Sequence, residues 1–150
     1  MDPRARTFDQ FSLGERFESG PRIVSQQDID RFTELSGDRT ELHTNQAWAE
    51  ATPLGGIVAH GALNLSVATG LAFDMGIFRG TVLAFRSLTA SFERPVYPGD
   101  HVRLELEVTG LEASRHVGSG LAEFGMTLRN QDGRRVVKGS WRLLLRSSEA

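Results

Sequence analysis

Two groups of residues carry the chemistry available to this chain. Asp38 and His43 lie five residues apart in the polar stretch Gly37-Asp38-Arg39-Thr40-Glu41-Leu42-His43, and His60-Gly61 follows 17 residues after that histidine. A carboxylate and an imidazole in one loop can share a water molecule and move its proton. Gly61 opens a run of small and apolar residues. A helix starting there has unpaired N–H groups and a positive dipole end, and glycine lets a substrate carbonyl approach the backbone closely. For an enolate-like intermediate that is an oxyanion hole, worth roughly 3 kcal/mol per good donor. Acid/base groups beside an electron sink suit the addition of water to a thioester, or its removal.

Taken singly, each residue also has an ordinary structural reading. Asp38 can turn or cap the chain, His43 can be a structural histidine, and His60 can simply precede a helix. Thr69, two turns beyond Gly61, reads first as a threonine bonded back to its own helix. Other chemistries find no support. His43, His60, His101 and His116 show no metal-ligand spacing, and no phosphate loop, dinucleotide fingerprint or G-x-S-x-G elbow occurs. No metal and no separate cofactor is expected.

The elements that must position these residues can be read from periodicity. Residues 1–10 read as a polar tail and 11–150 as one domain, a length sufficient for a core without staples. Ser25 with Asp28 three residues on resembles a capping box, Ile29, Phe32 and Leu35 recur at helical spacing, and Gly37 is placed to stop the helix, so 26–36 is helical. Residues 37–43 read as a connecting loop. Thr44 is a candidate cap for a short helix through about Ala51, ended by Thr52-Pro53-Leu54-Gly55-Gly56. Residues 62–76 hold no lysine, arginine or glutamate, which predicts a helix buried on all sides.

From Thr81 the period becomes two. One strand over about 82–92, bent near Arg86-Ser87, is followed by the alternating run His101–Val108 and by strands over 118–129 and 134–146 joined at Asn130-Gln131-Asp132-Gly133. The pattern is α+β, a curved antiparallel meander around a central helix. Such a sheet leaves edges open, so a homodimer or higher homo-oligomer is expected.

Composition narrows the partners. The formal net charge is −2 and the pI about 6.1, which argues against a nucleic-acid surface. There are no cysteines, hence no disulfides or thiolate sites. No apolar run approaches the roughly 20 residues of a membrane span, and the N-terminus lacks a signal-like core, so a cytoplasmic protein without a membrane partner is expected.

Three segments carry a family resemblance: Asp38 to His43, Leu54-Gly55-Gly56-Ile57-Val58-Ala59-His60-Gly61, and Phe92-Glu93-Arg94-Pro95-Val96-Tyr97-Pro98-Gly99-Asp100. Together they resemble the MaoC-like (R)-specific enoyl-CoA hydratases, over about residues 15–145. The resemblance implies the hot-dog fold and a homodimer. It implies reversible hydration of a trans-2-enoyl thioester of coenzyme A or an acyl-carrier protein to the (R)-3-hydroxyacyl thioester, the work of a hydro-lyase in fatty acid metabolism. By position, Asp38 and His43 match the catalytic pair and Gly61 the glycine whose N–H meets the thioester oxygen. Thr69 falls where relatives often have a supporting serine, and His60 is a second supporting residue. Coenzyme A enters only as part of the substrate. The family loop commonly reads D-x-N-P-x-H, whereas Thr40-Glu41 stand here for asparagine-proline, which suggests a variant substrate or a specialised subfamily.

Two rivals share this outline. A hot-dog thioesterase would need a carboxylate near the helix, for which Glu50 and Asp74 are the candidates. A non-catalytic acyl-thioester-binding module would need no acid/base pair at all. Phe73, Phe78, Phe85 and Trp48 are available to line or shorten an acyl pocket, and Arg86 and Arg94 are the candidates for the nucleotide end.

Overall fold

The computed structural model describes residues 2–116 and 118–148. Its sheet contains β1 (Arg16–Glu18), β2 (Arg22–Ile23), β3 (Val82–Phe92), β4 (His101–Ala113), β5 (Ser119–Arg129) and β6 (Arg135–Arg146). Among the described residues four α-helices accompany it, α1 (Gln26–Ser36), α2 (Glu41–Thr44), α3 (Gln46–Glu50) and α4 (Gly61–Asp74), with one 3-10 turn at Phe8–Gln10. The strands are antiparallel in the order β1-β4-β5-β6-β3, with β2 also on β4. This curved sheet over α4 is the hot-dog arrangement, α+β as expected. No helix among the described residues is long and apolar enough to cross a membrane.

Only β4, β5 and β6 form a meander. β3 pairs with β6 rather than with its sequence neighbour β4, so the meander expected for all four long strands is corrected. The chain between β3 and β4 has to cross the end of the sheet, and Pro95 and Pro98-Gly99 supply a connection that cannot extend either strand. Tyr97 anchors it by donating its hydroxyl to the Leu54 carbonyl at 2.6 Å.

Alternation on β4 and β5 turns Val102, Leu104, Leu106, Val108, Ala122, Phe124, Met126 and Leu128 inward, where they meet Leu63, Val67, Ala68 and Leu71 of α4. Phe11, Phe78 and Phe124 pack edge-on and stacked at centroid distances of 5.3 to 6.1 Å and close the core at one end. Residues 2–10, polar in composition, do not hang free as a tail. Arg6 N–H donates to the Ile77 carbonyl, and Phe8 packs against the core beside Gly120.

Helix α1 begins and ends where the capping residues require. Ser25 and Asp28 exchange side-chain and backbone bonds, and Gly37 closes the helix with φ of +76°. Two local expectations are corrected. His43 lies on a helical turn, α2, and not in an open loop; Thr44 ends that turn, and the cap of α3 is Asn45, whose side chain accepts from Trp48 N–H. Helix α4 is buried on one side only. Ala62, Ser66, Thr69, Gly70 and Phe73 form an exposed stripe along it, so the complete burial expected from its composition does not occur within one chain.

Candidate active site

Asp38 follows directly on the C-cap glycine of α1, and its carboxylate Oδ1 accepts from Thr40 N–H at 3.1 Å and from Thr40 Oγ1 at 2.5 Å. These donors favour the charged form and hold the Asp38 carboxyl below its ordinary range. Thr40 is the N-cap of α2 with φ of −53°, and Glu41 is its first residue. The departure from D-x-N-P-x-H therefore exchanges one helix-start pair for another. Proline suits the first helical position through its fixed φ, whereas glutamate suits it through the helix dipole. The loop remains ordered around Asp38 without proline.

His43 is buried, and its Nδ1 lies 2.7 Å from the Val58 carbonyl. A carbonyl only accepts, so Nδ1 carries the proton and Nε2 presents a lone pair. His60 stacks on His43 with ring centroids 3.9 Å apart and planes 24° from parallel, and Phe32 packs on its own ring at 4.9 Å. Its Nε2 lies 3.1 Å from the Asp38 carbonyl and 3.3 Å from Thr33 Oγ1. The Thr33 hydroxyl donates to the Ile29 carbonyl, so both neighbours of His60 Nε2 act as acceptors and that nitrogen is the protonated one. Burial lowers the basicity of His60, and the nearby His43 adds to this.

The structure thus brings Asp38, His43 and His60 together. One potential ligand or acid/base atom from each lies within 4.8 Å of the others. That span suits one water held by bonds of about 2.8 Å. It suits a metal ion less well, because imidazole lone pairs lie in the ring plane and two stacked rings do not aim theirs at one point.

Helix α4 begins one residue after His60 and has no side-chain cap. Among the described residues, no oxygen accepts from the Gly61 N–H. Segment 57–60 is held from both sides, Val58 N–H donating to Leu42 O at 3.0 Å and Ala59 N–H to Val96 O at 2.8 Å. The acid/base pair and an uncapped helix terminus are thereby fixed side by side.

Other expected residues fall elsewhere. Thr69 donates its hydroxyl to the Ser66 carbonyl at 2.6 Å and is exposed. It lines a groove of about 180 Å³ with Ala72, Phe73, Phe78, Phe85 and Trp141. Asp74 closes α4 at the end opposite Gly61, and exposed Glu50 accepts from Gln46 at 2.6 Å. Neither of the two carboxylates considered for a thioesterase joins the Asp38–His43 cluster. Trp48 stays outside the groove, and Arg94 is engaged with the Arg135 carbonyl.

Two contributors escaped the reading of the sequence. Thr33 looked like one more residue of α1, and Phe92 like one more strand residue. Phe92 lies against Gly61: a Cβ built at Gly61 would stand 2.7 Å from Phe92 Cε1. The spacing of Ile29 and Thr33, four residues apart on one helix face, was the available signal for the former. No local signal existed for the latter.

A family model described as the MaoC like domain matches residues 10–128. The chain belongs to the MaoC-like family. A protein from Aeromonas caviae named (R)-specific enoyl-CoA hydratase is 33% identical over 92 residues, which is 61% of this chain and 67% of that protein. Protein MaoC of Klebsiella aerogenes is 30% identical over 106 residues, 71% of this chain, but the match spans only 31% of that protein's length. Among solved structures, an Archaeoglobus protein described as a monoamine oxidase regulatory protein superposes with a TM-score of 0.89 at 30% identity, covering 99% of each chain.

Proposed function

We propose that this MaoC-like protein is a hydro-lyase that adds water reversibly to a trans-2-enoyl thioester, giving the (R)-3-hydroxyacyl thioester. The observation that carries the reading is the gathering of the Asp38 carboxylate and the His43 imidazole within the span of one water, beside an uncapped helix that starts at Gly61. The name of the Aeromonas caviae relative supports the reaction class and the (R) configuration.

The step follows from the donors and acceptors. Water held between the two acceptors adds its oxygen to Cβ, and one O–H bond breaks as the proton passes to His43 Nε2. The π electrons move through Cα to the thioester oxygen, where the Gly61 N–H meets the developing charge. The enolate then re-forms its carbonyl while Cα takes the proton back from His43, so both additions occur on one face. His43 is assigned as the proton carrier because its Nδ1 is committed to the Val58 carbonyl and its Nε2 lone pair is left to take a proton, while the Thr40 donors keep Asp38 a weak base. Asp38 orients the water and steadies the imidazolium. No cofactor is needed beyond the coenzyme A or carrier-protein thiol of the substrate.

The groove beside Thr69 is aromatic and suits the acyl chain. The protein acts as a homodimer in this reading. β3 is an open sheet edge carrying exposed Val82, Leu83, Phe85, Leu88 and Phe92, and the uncharged exposed stripe of α4 is the other surface available for cover.

A panel of trans-2-enoyl-CoA chain lengths given to wild type, Asp38→Asn and His43→Ala tests the reading. The enoyl-thioester absorbance should fall without release of free thiol, and each substitution should lower kcat by about 10²- to 10⁴-fold. Equal rates in all three proteins, turnover in none, or release of thiol would overturn it.

A further inference from the structure

We infer that His60 is a positioning residue that ties the acid/base loop to the oxyanion donor, through its Nε2–H bond to the Asp38 carbonyl and its stacking on His43. The inference rests on the hydratase reading above and adds a role for the residue between the two halves of the site. His60 is 2% exposed, too enclosed to touch substrate. It nevertheless contacts both acid/base residues, which lie 22 and 17 positions earlier, and it is the residue immediately before Gly61. A shift of this ring would move the Asp38 backbone, release the back face of His43 and displace the first N–H of α4 together.

The tautomers show why histidine is needed. Thr33 Oγ1 and Asp38 O both accept at Nε2, so a donor must stand there. A flat ring must stand there as well, because the His43 ring lies 3.9 Å away on one side and Phe32 packs at 4.9 Å. Glutamine supplies the donor without the ring, and phenylalanine the ring without the donor. The groups facing His60 are Asp38 and His43 on the loop and on α2, with Thr33 and Phe32 on α1. Burial together with the adjacent imidazole keeps its ring uncharged at neutral pH.

The test compares His60→Gln and His60→Phe with wild type. Misplacement of reacting groups by about 1 Å costs on the order of 100-fold, so His60→Phe should lose about that factor in kcat with little change in KM. His60→Gln, which keeps the donor without the ring, should recover part of the loss, and both should keep the wild-type shape of the pH–rate profile, since His60 moves no proton. Unaltered kcat in His60→Phe would overturn the inference, as would loss of a titrating limb in His60→Gln.

A second readout needs no turnover. Imidazole ¹⁵N–¹H correlation spectra should show His60 protonated on Nε2 and His43 on Nδ1 in wild type, and faster solvent exchange of the His43 Nδ1 proton in His60→Phe, where the Asp38 carbonyl has lost its donor and the loop is no longer tied to the ring. An unchanged exchange rate of that proton in His60→Phe would refute the positioning role even if no enoyl thioester proved to be a substrate. Failure of hydration with the exchange result intact would instead count only against the hydratase reading.

Discussion

Gly61→Ala separates two physical reasons for a glycine at the start of α4. The added Cβ would stand 2.7, 2.9 and 3.1 Å from three atoms of the Phe92 ring, against ordinary carbon contacts of about 3.5 to 4.0 Å. The ring must therefore retreat by roughly 1 Å. Phe92 is 54% exposed, so it can rotate outward at an off-rotamer cost of about 0.5–1.5 kcal/mol. Gly61 has no positive φ to lose, and alanine favours the helical state by up to about 1 kcal/mol. The two nearly offset one another, and the melting temperature should move by no more than about 4 °C. Activity should respond quite differently. A methyl group beside the first N–H of α4 blocks the carbonyl that must approach it, and loss of one such donor costs about 10²- to 10³-fold in kcat. Enoyl-thioester hydration should be measured for Gly61→Ala, Phe92→Ala and the double variant, alongside thermal unfolding. The double variant should remain as impaired as Gly61→Ala relative to Phe92→Ala. Wild-type kcat in Gly61→Ala would refute the reasoning, and restored activity in the double variant would show that the glycine merely makes room for Phe92.

Three further outcomes follow from the same geometry. His60 has a lowered pKa in the fold, so the unfolded chain binds more protons than the native one once the pH drops below the ordinary histidine value of about 6.5. Stability should be unaffected by this group above that pH and fall as the pH drops toward its lowered native pKa; thermal unfolding between pH 8 and 5 should show a smaller decline in His60→Gln. Thr40→Val removes the hydroxyl donor that favours ionised Asp38, so the acid limb of the kcat/KM profile should move to higher pH, and an unmoved limb would separate that limb from Asp38. Leu88→Glu places a charge on the exposed face of the β3 edge, and under the proposed homodimer light scattering should show wild type as a dimer and this variant as a monomer.

Much of the scaffold was legible because its signals are local. Ser25, Asp28 and Gly37 set both ends of α1, and alternation set the strands from His101 onward. Asn130 to Gly133 set the last hairpin, where Asn130 N–H donates to the Arg134 carbonyl. The pairing of β3 with β6 was not legible, because strand order depends on which edge is free when the chain crosses, and periodicity within each strand is blind to that. The turn at α2 was missed because a four-residue helix shows too little period. Its signature was the substitution of Thr40-Glu41 for asparagine-proline, which reads as a loop departure until the N-cap and first helical positions are seen. Asp38, His43 and Gly61 stood out as residue types, but the two tautomers depended on Val58, Thr33 and Ile29, whose carbonyls and hydroxyl carry no mark in the sequence.

The site lies where the fold is least regular, and the backbone bonds explain why that is possible. Val58, Ala59 and His60 are buried yet belong to no helix or strand, a situation that normally leaves costly unpaired peptide groups. Here Leu42 and Val96 accept from two of their N–H groups, and the Val58 carbonyl accepts from His43. The bond that settles the segment also sets the tautomer of His43. Removing the His43 ring should therefore orphan a buried carbonyl as well as abolish proton transfer, and loss of such a partner costs about 1–3 kcal/mol. His43→Asn can retain a donor near the Nδ1 position, so it should unfold later than His43→Ala while remaining equally unable to carry the proton. Equal melting temperatures for the two variants would mean that the Val58 bond does not hold the segment in place.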